Sequence, residues 1–189
     1  MKKAIFFCLL DALLCIPLTA ISSQFELMPE KNLNIKLLET GLSALGILLT
    51  VYVLFVLKQY LKKRLHFMEI NNLILLSISI QVIVAIIGWF ATFFPENQVF
   101  TNFLVLTAMV VTGIMYTIAG VKLLKLPNNL YGLLKPFCYL YIVMGLGMAS
   151  VFLFPIALLA SMLGDILLAI ILLKELQKDK EIASMQLCL

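Results

Sequence analysis

Residues 70–94 read INNLILLSISIQVIVAIIGWFATFF, and after the polar turn Pro95-Glu96-Asn97-Gln98, residues 99–121 read VFTNFLVLTAMVVTGIMYTIAGV. Neither run contains a charged residue. A helix needs about 20 apolar residues, at about 1.5 Å each, to cross a bilayer. The two runs therefore predict a transmembrane helical hairpin, and the rest of the chain repeats their pattern.

The composition of the whole chain also indicates a lipid environment. Of its 189 residues, 63% are hydrophobic and 13% are charged, and the mean hydropathy is +1.09. A soluble domain is usually about 45–50% apolar and about 25% charged, and a soluble fold of this composition would expose large apolar patches. The net charge of +4 does not indicate a nucleic-acid partner, because the cations cluster at the ends of apolar runs.

The sequence predicts an all-α, polytopic transmembrane helix bundle. Its six spans are expected at 4–22, 37–57, 70–94, 99–121, 136–154 and 156–173. The last two are separated because residues 136–173 would run about 57 Å as one helix, and Pro155 disfavours helix at the residue before it. A strongly kinked or re-entrant pair is the alternative for this segment. Residues 1–173 are expected to form a single domain, and residues 174–189 a short cytoplasmic tail.

The placement of lysine and arginine predicts the orientation, because cytoplasmic loops carry an excess of these residues. With six spans, all of them except Lys31 and Lys36 fall on one side. We therefore expect both termini in the cytoplasm, with the protein in a plasma or inner membrane. The cytoplasmic basic loop between spans two and three contains Lys58, Lys62, Lys63 and Arg64, and such a cluster also suits anionic lipid headgroups.

A rival topology treats residues 1–23 as a cleaved signal peptide, since Lys2 and Lys3 precede an apolar run. Asp11 interrupts that run and favours a retained span. Elsewhere, His66 has no second histidine or cysteine nearby at metal-ligand spacing. The sequence contains no phosphate-binding loop, G-x-S-x-G or H-E-x-x-H motif, so no metal or cofactor is predicted.

Polar residues inside the spans are the candidate intramembrane site. Asp11, Gln81 and Asp165 lie near the middle of spans one, three and six, and Glu39 lies at the outer end of span two. An ionisable side chain at mid-bilayer costs roughly 2.5–3.5 kcal/mol on insertion scales. No lysine or arginine lies deep enough to pair with either aspartate, so burial favours the neutral carboxylic acid. The site could bind a cation, relay a proton or hold a polar substrate group; the alternative is that a protonated aspartate only joins two helices.

Each span also carries a stripe of small or weakly polar residues at helical spacing, and such stripes allow membrane helices to approach closely. From span one to span six, they are Ala4, Cys8, Asp11, Cys15 and Thr19; Glu39, Ser43, Gly46 and Thr50; Ser77, Gln81, Ala85 and Gly88; Ala108, Thr112, Met115 and Ala119; Cys138, Tyr141, Gly145 and Ala149; and Ala157, Ser161, Asp165 and Ala169. We expect these stripes to face each other and the larger apolar faces to meet lipid.

One short segment is similar to a known family. The run Leu158-Leu159-Ala160-Ser161-Met162-Leu163-Gly164-Asp165, preceded by Lys135-Pro136, resembles part of the YhhN-type lysoplasmalogenases, which are polytopic membrane hydrolases of ether lipids. The resemblance implies that Asp165 is a catalytic carboxylate. That family has about eight spans, with further helices after the Gly-Asp pair, whereas sixteen residues follow the sixth predicted span here.

Three classes of function follow from these observations. The first is a small transporter or channel component that uses the polar site. The second is a non-catalytic membrane subunit or scaffold that works by helix packing, and the third is an intramembrane lipid hydrolase. The sequence favours a non-enzymatic role. Six helices make a narrow bundle, so we expect a homo-oligomer or a membrane partner subunit if there is a pore.

Overall fold

The fold was analysed in a computed structural model, which describes residues 1–26, 32–64, 67–93, 98–126, 130–150 and 152–187. Within these ranges the chain is helical and has no strand. The helices are α1 (Lys2–Glu26), α2 (Leu33–Arg64), α3 (Asn71–Phe93), α4 (Gln98–Leu123), α5 (Leu134–Ala149) and α6 (Phe154–Leu187), with a 3₁₀ turn at Leu130–Gly132. The predicted turn at residues 95–97 and His66 lie outside the described residues.

Five of the helices, all except α5, are long and apolar enough to cross a membrane. Helix α5 has 16 residues, about 24 Å, which is shorter than a hydrocarbon core of about 30 Å. The break before α6 comes earlier than predicted, after Ala149 rather than at Pro155. Pro155 lies in the first turn of α6, where its missing N–H removes no helical hydrogen bond.

Two predicted loops are largely helical. Helix α2 continues through Arg64, so the basic residues expected in a loop occupy the last turns of that helix, where cations interact favourably with the helix dipole. The segment from residue 174, predicted as a tail, continues α6 as far as Leu187. Both helices therefore extend well beyond the predicted ends of their spans.

The helices form a ring in chain order. Each one packs against the next, and α6 returns to pack against α1. None of the predicted stripe residues is exposed; large exposed side chains such as Phe6, Leu48 and Phe103 lie on the outside instead. The stripes are therefore turned away from the outer surface, and the exposed apolar surface suits contact with lipid.

The closest packing joins α4 and α5 through glycine. A Cβ atom added at Gly113 would lie 2.6 Å from the carbonyl oxygen of Gly145 and 2.7 Å from the backbone nitrogen of Ala149. Since no other residue would fit there without movement, Gly113 allows the two backbones to touch. The stripe predicted on span four did not include Gly113.

Candidate functional site

A small cavity lies inside the ring of helices. Its volume is about 20 Å³, the space that about one water molecule needs. Five helices supply its lining, which comprises Asp11, Thr50, Val53, Leu54, Tyr116, Tyr141, Met144, Ala160, Ser161, Gly164 and Asp165. Two of the four residues predicted for the polar site, Asp11 and Asp165, thus face the same cavity.

The two aspartates come from the first and last helices, which the ring brings into contact. Asp11 is only 7% exposed, and Asp165 is half-buried. Neither carboxyl group has a hydrogen bond or salt bridge to another residue in the described part of the chain. The lining contains no lysine, arginine or histidine. The cavity therefore combines two acidic groups with no compensating protein cation.

Hydroxyl groups complete the polar part of the lining. Gln81 on α3 donates from Nε2 to Oη of Tyr116 over 2.7 Å, and the ring of Tyr116 meets that of Tyr141 edge-on, at 5.8 Å between centroids. Thr50 Oγ1 donates to the carbonyl oxygen of Gly46 at 3.1 Å, which leaves its lone pairs available as acceptors. Gln81 therefore reaches the site through Tyr116 rather than by lining the cavity.

Glu39, the fourth predicted residue, lies elsewhere. It precedes Thr50 by eleven residues on α2, which places it about 16 Å further along the helix, and it is not among the residues lining the cavity. Tyr116, by contrast, was missed by the sequence reasoning. It lies four residues after Thr112, so it shares the inward face of α4, and that spacing was the signal that could have found it.

A layer of apolar side chains closes the cavity towards the basic end of the bundle. Leu57 follows Leu54 by one turn of α2, and Leu168 follows Asp165 by one turn of α6; both are at most 2% exposed. They belong to one buried cluster with Cys8 and Phe137. The polar site therefore has a dry, tightly packed layer on this side.

An ionic cluster holds the basic end together. Arg64 at the end of α2 hydrogen-bonds to Asp179 and lies 3.7 Å from Glu175, both on the extended part of α6. Tyr131 Oη donates to Glu175 Oε2 at 2.7 Å, and Lys174 Nζ lies 5.8 Å from the centre of the Tyr131 ring. The ends of α2 and α6 and the α4–α5 connection consequently lie at the same end of the bundle.

An apolar groove of about 400 Å³ lies between α3 and α4. Its lining consists of Ile80, Phe100, Phe103, Leu104, Thr107, Ala108 and Val111. Phe100 and Phe103 are more than half exposed, so the groove opens on the outer surface of the bundle, the surface that would meet lipid.

No protein-family model, curated protein or solved structure matches this chain. The similarity of residues 158–165 to the lysoplasmalogenases therefore has no support from these comparisons. The described residues also contain no group of three or more histidines, cysteines, aspartates and glutamates that could hold a metal ion.

Proposed function

We propose that this integral membrane protein is a small transporter or channel component, with Asp11, Gln81 and Asp165 as its central polar site. One observation carries the proposal: carboxyl groups from the first and last helices face one cavity that no protein cation lines. Each ionisable group at this depth costs a few kcal/mol, roughly 2.5–3.5 on insertion scales. Helix packing alone does not account for two of them at one cavity, whereas proton or ion exchange would make use of both.

The proposed topology has six membrane crossings with both termini in the cytoplasm. The proposed location is a plasma or inner membrane. The excess of lysine and arginine at one end supports this topology. The ionic cluster around Arg64 also supports it, because the cluster joins three of the segments that are predicted to be cytoplasmic. Helix α5 crosses only part of the bilayer in this arrangement, and the short turn before α6 completes the distance.

In the proposed mechanism, the cavity is a binding site near the middle of the membrane that opens alternately to the cytoplasmic side and to the outer side. The buried layer that contains Leu57 and Leu168 separates it from the cytoplasmic end, so access requires that layer to open. Apolar constrictions of this kind act as gates because they exclude water when closed. Gln81 orients the hydroxyl group of Tyr116. Tyr116 lies on α4, across the ring of helices from α1 and α6, which carry the two aspartates.

The test is proton flux into proteoliposomes that enclose a pH-sensitive dye. We expect the wild-type protein to dissipate an imposed pH gradient and the Asp11→Asn/Asp165→Asn double variant to lose this activity. Asparagine keeps the size and hydrogen-bonding capacity of aspartate but cannot titrate. Glu39→Gln is the matched control, because it removes a carboxyl group that does not line the cavity and should leave the flux unchanged.

The proposal fails if the double variant inserts normally and keeps both its flux and the pH dependence of that flux. In that case, the protein is better described as a non-catalytic subunit or scaffold, working through helix contacts such as that between Gly113 and Gly145. A stoichiometric membrane partner, or a homo-oligomer, recovered after mild solubilisation would support that alternative.

A second function, hydrolysis of a membrane lipid, is favoured by the same pair of carboxyl groups facing a water-sized cavity. One carboxylate could activate the water as a general base while the other, protonated, acts as a general acid. Purified protein incubated with lipid vesicles would then release a water-soluble fragment. Either single aspartate-to-asparagine change would abolish the release, and Glu39→Gln would not.

A further inference from the structure

Two acidic side chains at the cavity have no cationic residue to balance their charge. Asp11 is 7% exposed, its carboxyl group faces the cavity, and no described residue gives it a hydrogen bond. Asp165 faces the same space. Two unaccompanied negative charges are not tolerated in a low-dielectric interior, so each carboxylate must carry a proton or lie beside a cation.

We propose that the Asp11–Asp165 cavity binds one small monovalent cation, with Na⁺ as the probe, in exchange for a proton. This inference rests on the proposed function and names the ion that the site handles. With one cation bound, one aspartate is ionised and the other protonated, so the pair together with its ion is neutral. When the ion leaves, a proton takes its place and neutrality is kept.

The oxygen atoms around the cavity suit such an ion. Besides the two aspartates, four residues with hydroxyl groups line the cavity: Thr50, Ser161, Tyr116 and Tyr141. The Thr50 oxygen retains free lone pairs because it donates its proton to Gly46. Hard oxygen ligands prefer alkali and alkaline-earth cations. Mg²⁺ usually keeps several of its waters when it is bound, and a space of about 20 Å³ does not hold them.

Cation binding should depend on pH, because a proton and the ion compete for the same carboxylate. The titratable groups in or near the cavity are the two aspartates, Cys8 and Cys15 from α1, Tyr116 from α4 and Tyr141 from α5. Helix α2 contributes no titratable lining residue, and α3 approaches through the neutral Gln81. The two thiols and the two phenols are uncharged at neutral pH, so the aspartates set the pH dependence.

The experiment measures equilibrium binding of radioactive sodium to the full chain in lipid nanodiscs, with choline chloride holding the ionic strength. We expect saturable binding of one Na⁺ per chain, weakening by up to about tenfold for each unit by which the pH is lowered. The Asp11→Asn/Asp165→Asn double variant should abolish binding, and the single variant that removes the ionised carboxylate should weaken it strongly. Ser161→Ala, which removes one oxygen ligand and should leave the fold intact, should weaken binding about tenfold. Glu39→Gln should not change it.

The outcomes separate this inference from the proposed function. If the wild-type protein carries protons but binds no sodium, the cation proposal is wrong and the proton pathway stands. Sodium binding that persists in the Asp11→Asn/Asp165→Asn double variant would also overturn it. If sodium binds as expected while the proteoliposomes show no flux, the site is real but the transport function is wrong. If the aspartate variants fail to fold, Ser161→Ala decides, since unchanged affinity in that variant would contradict the proposed ligand set.

Discussion

Gln81 and Tyr116 are joined by a hydrogen bond of 2.7 Å from the amide Nε2 to the phenol Oη. The two residues come from adjacent helices, and the bond between them is a polar contact that ties α3 to the centre of the bundle. Tyr116 lines the cavity and is itself 5% exposed. The bond therefore restrains the hydroxyl group of a residue that lines the candidate site.

Removing this hydrogen bond should destabilise the bundle modestly. We expect Tyr116→Phe to lower the free energy of unfolding by about 1 kcal/mol, since interhelical hydrogen bonds in membranes contribute about 0.6 kcal/mol on average and up to about 1.7. Unfolding in mixed micelles with increasing denaturing detergent measures the change. Tyr139→Phe, on the exposed face of α5, is the control and should have little effect.

A double-mutant cycle with Gln81→Leu isolates the bond. If Gln81 and Tyr116 act through it, the double variant should be less destabilised than the sum of the two single variants. Additive effects would show that the two side chains contribute independently and that the bond does not stabilise the fold.

The glycine contact between α4 and α5 should be intolerant of any side chain. Gly113→Ala would place a methyl group 2.6 Å from the Gly145 carbonyl oxygen, and we expect a loss of about 1–3 kcal/mol from overpacking. Thermal unfolding in detergent measures it. Gly41→Ala and Gly88→Ala are controls, because a Cβ atom at either position would meet nothing within 4 Å.

These controls should be neutral or stabilising by about 0.5–1 kcal/mol, because alanine has the better helix propensity. If Gly113→Ala, Gly41→Ala and Gly88→Ala were equally destabilising, the close contact between α4 and α5 at Gly113 would be wrong.

Tyr131 should titrate at unusually high pH. Desolvation, together with the hydrogen bond to the Glu175 carboxylate, raises the pKa of Tyr131 to about 12. The folded state then holds its proton more tightly than the unfolded state, so this contribution to stability is complete below pH about 10 and is lost as the pH rises towards 12. The phenolate absorbance of wild type minus Tyr131→Phe gives the midpoint.

Glu175→Gln provides the test of the cause. Removing the carboxylate should lower the Tyr131 midpoint towards the ordinary value for tyrosine. An unchanged midpoint would rule out the charge and hydrogen bond of Glu175 as contributors and leave desolvation as the explanation.

The proposed topology predicts which positions are accessible from outside the cell. Cysteine introduced at Ser150, in the exposed turn between α5 and α6, should react with a membrane-impermeant maleimide in intact cells. Cysteine introduced at Lys135 should react only after permeabilisation. Cys188 is first replaced by serine, and Cys8, Cys15 and Cys138 are buried or half-buried. The reverse labelling pattern would invert the topology.

The sequence predicted the helices and their inward faces more reliably than the residues at which the helices end. Helix periodicity placed every stripe residue away from the exposed surface, because small residues are what closely packed helices require. The end of α2 was misplaced because a run of lysines resembles a loop, although long cationic side chains are compatible with a helix end. The contact of the extended α6 with α2 could not be predicted, because Arg64 and Asp179 lie 115 residues apart in the chain.

The sequence by itself determined that the chain belongs in a membrane and which residues are costly there, since hydrophobicity and the energy of a buried charge are properties of local composition. It could not determine which of these residues meet. Only the tertiary structure, by closing α6 onto α1, brought Asp11 and Asp165 to one cavity and left Glu39 outside it. Contacts between residues distant in the chain depend on how the helices pack. The periodicity of residues along a single helix does not determine which other helices it packs against.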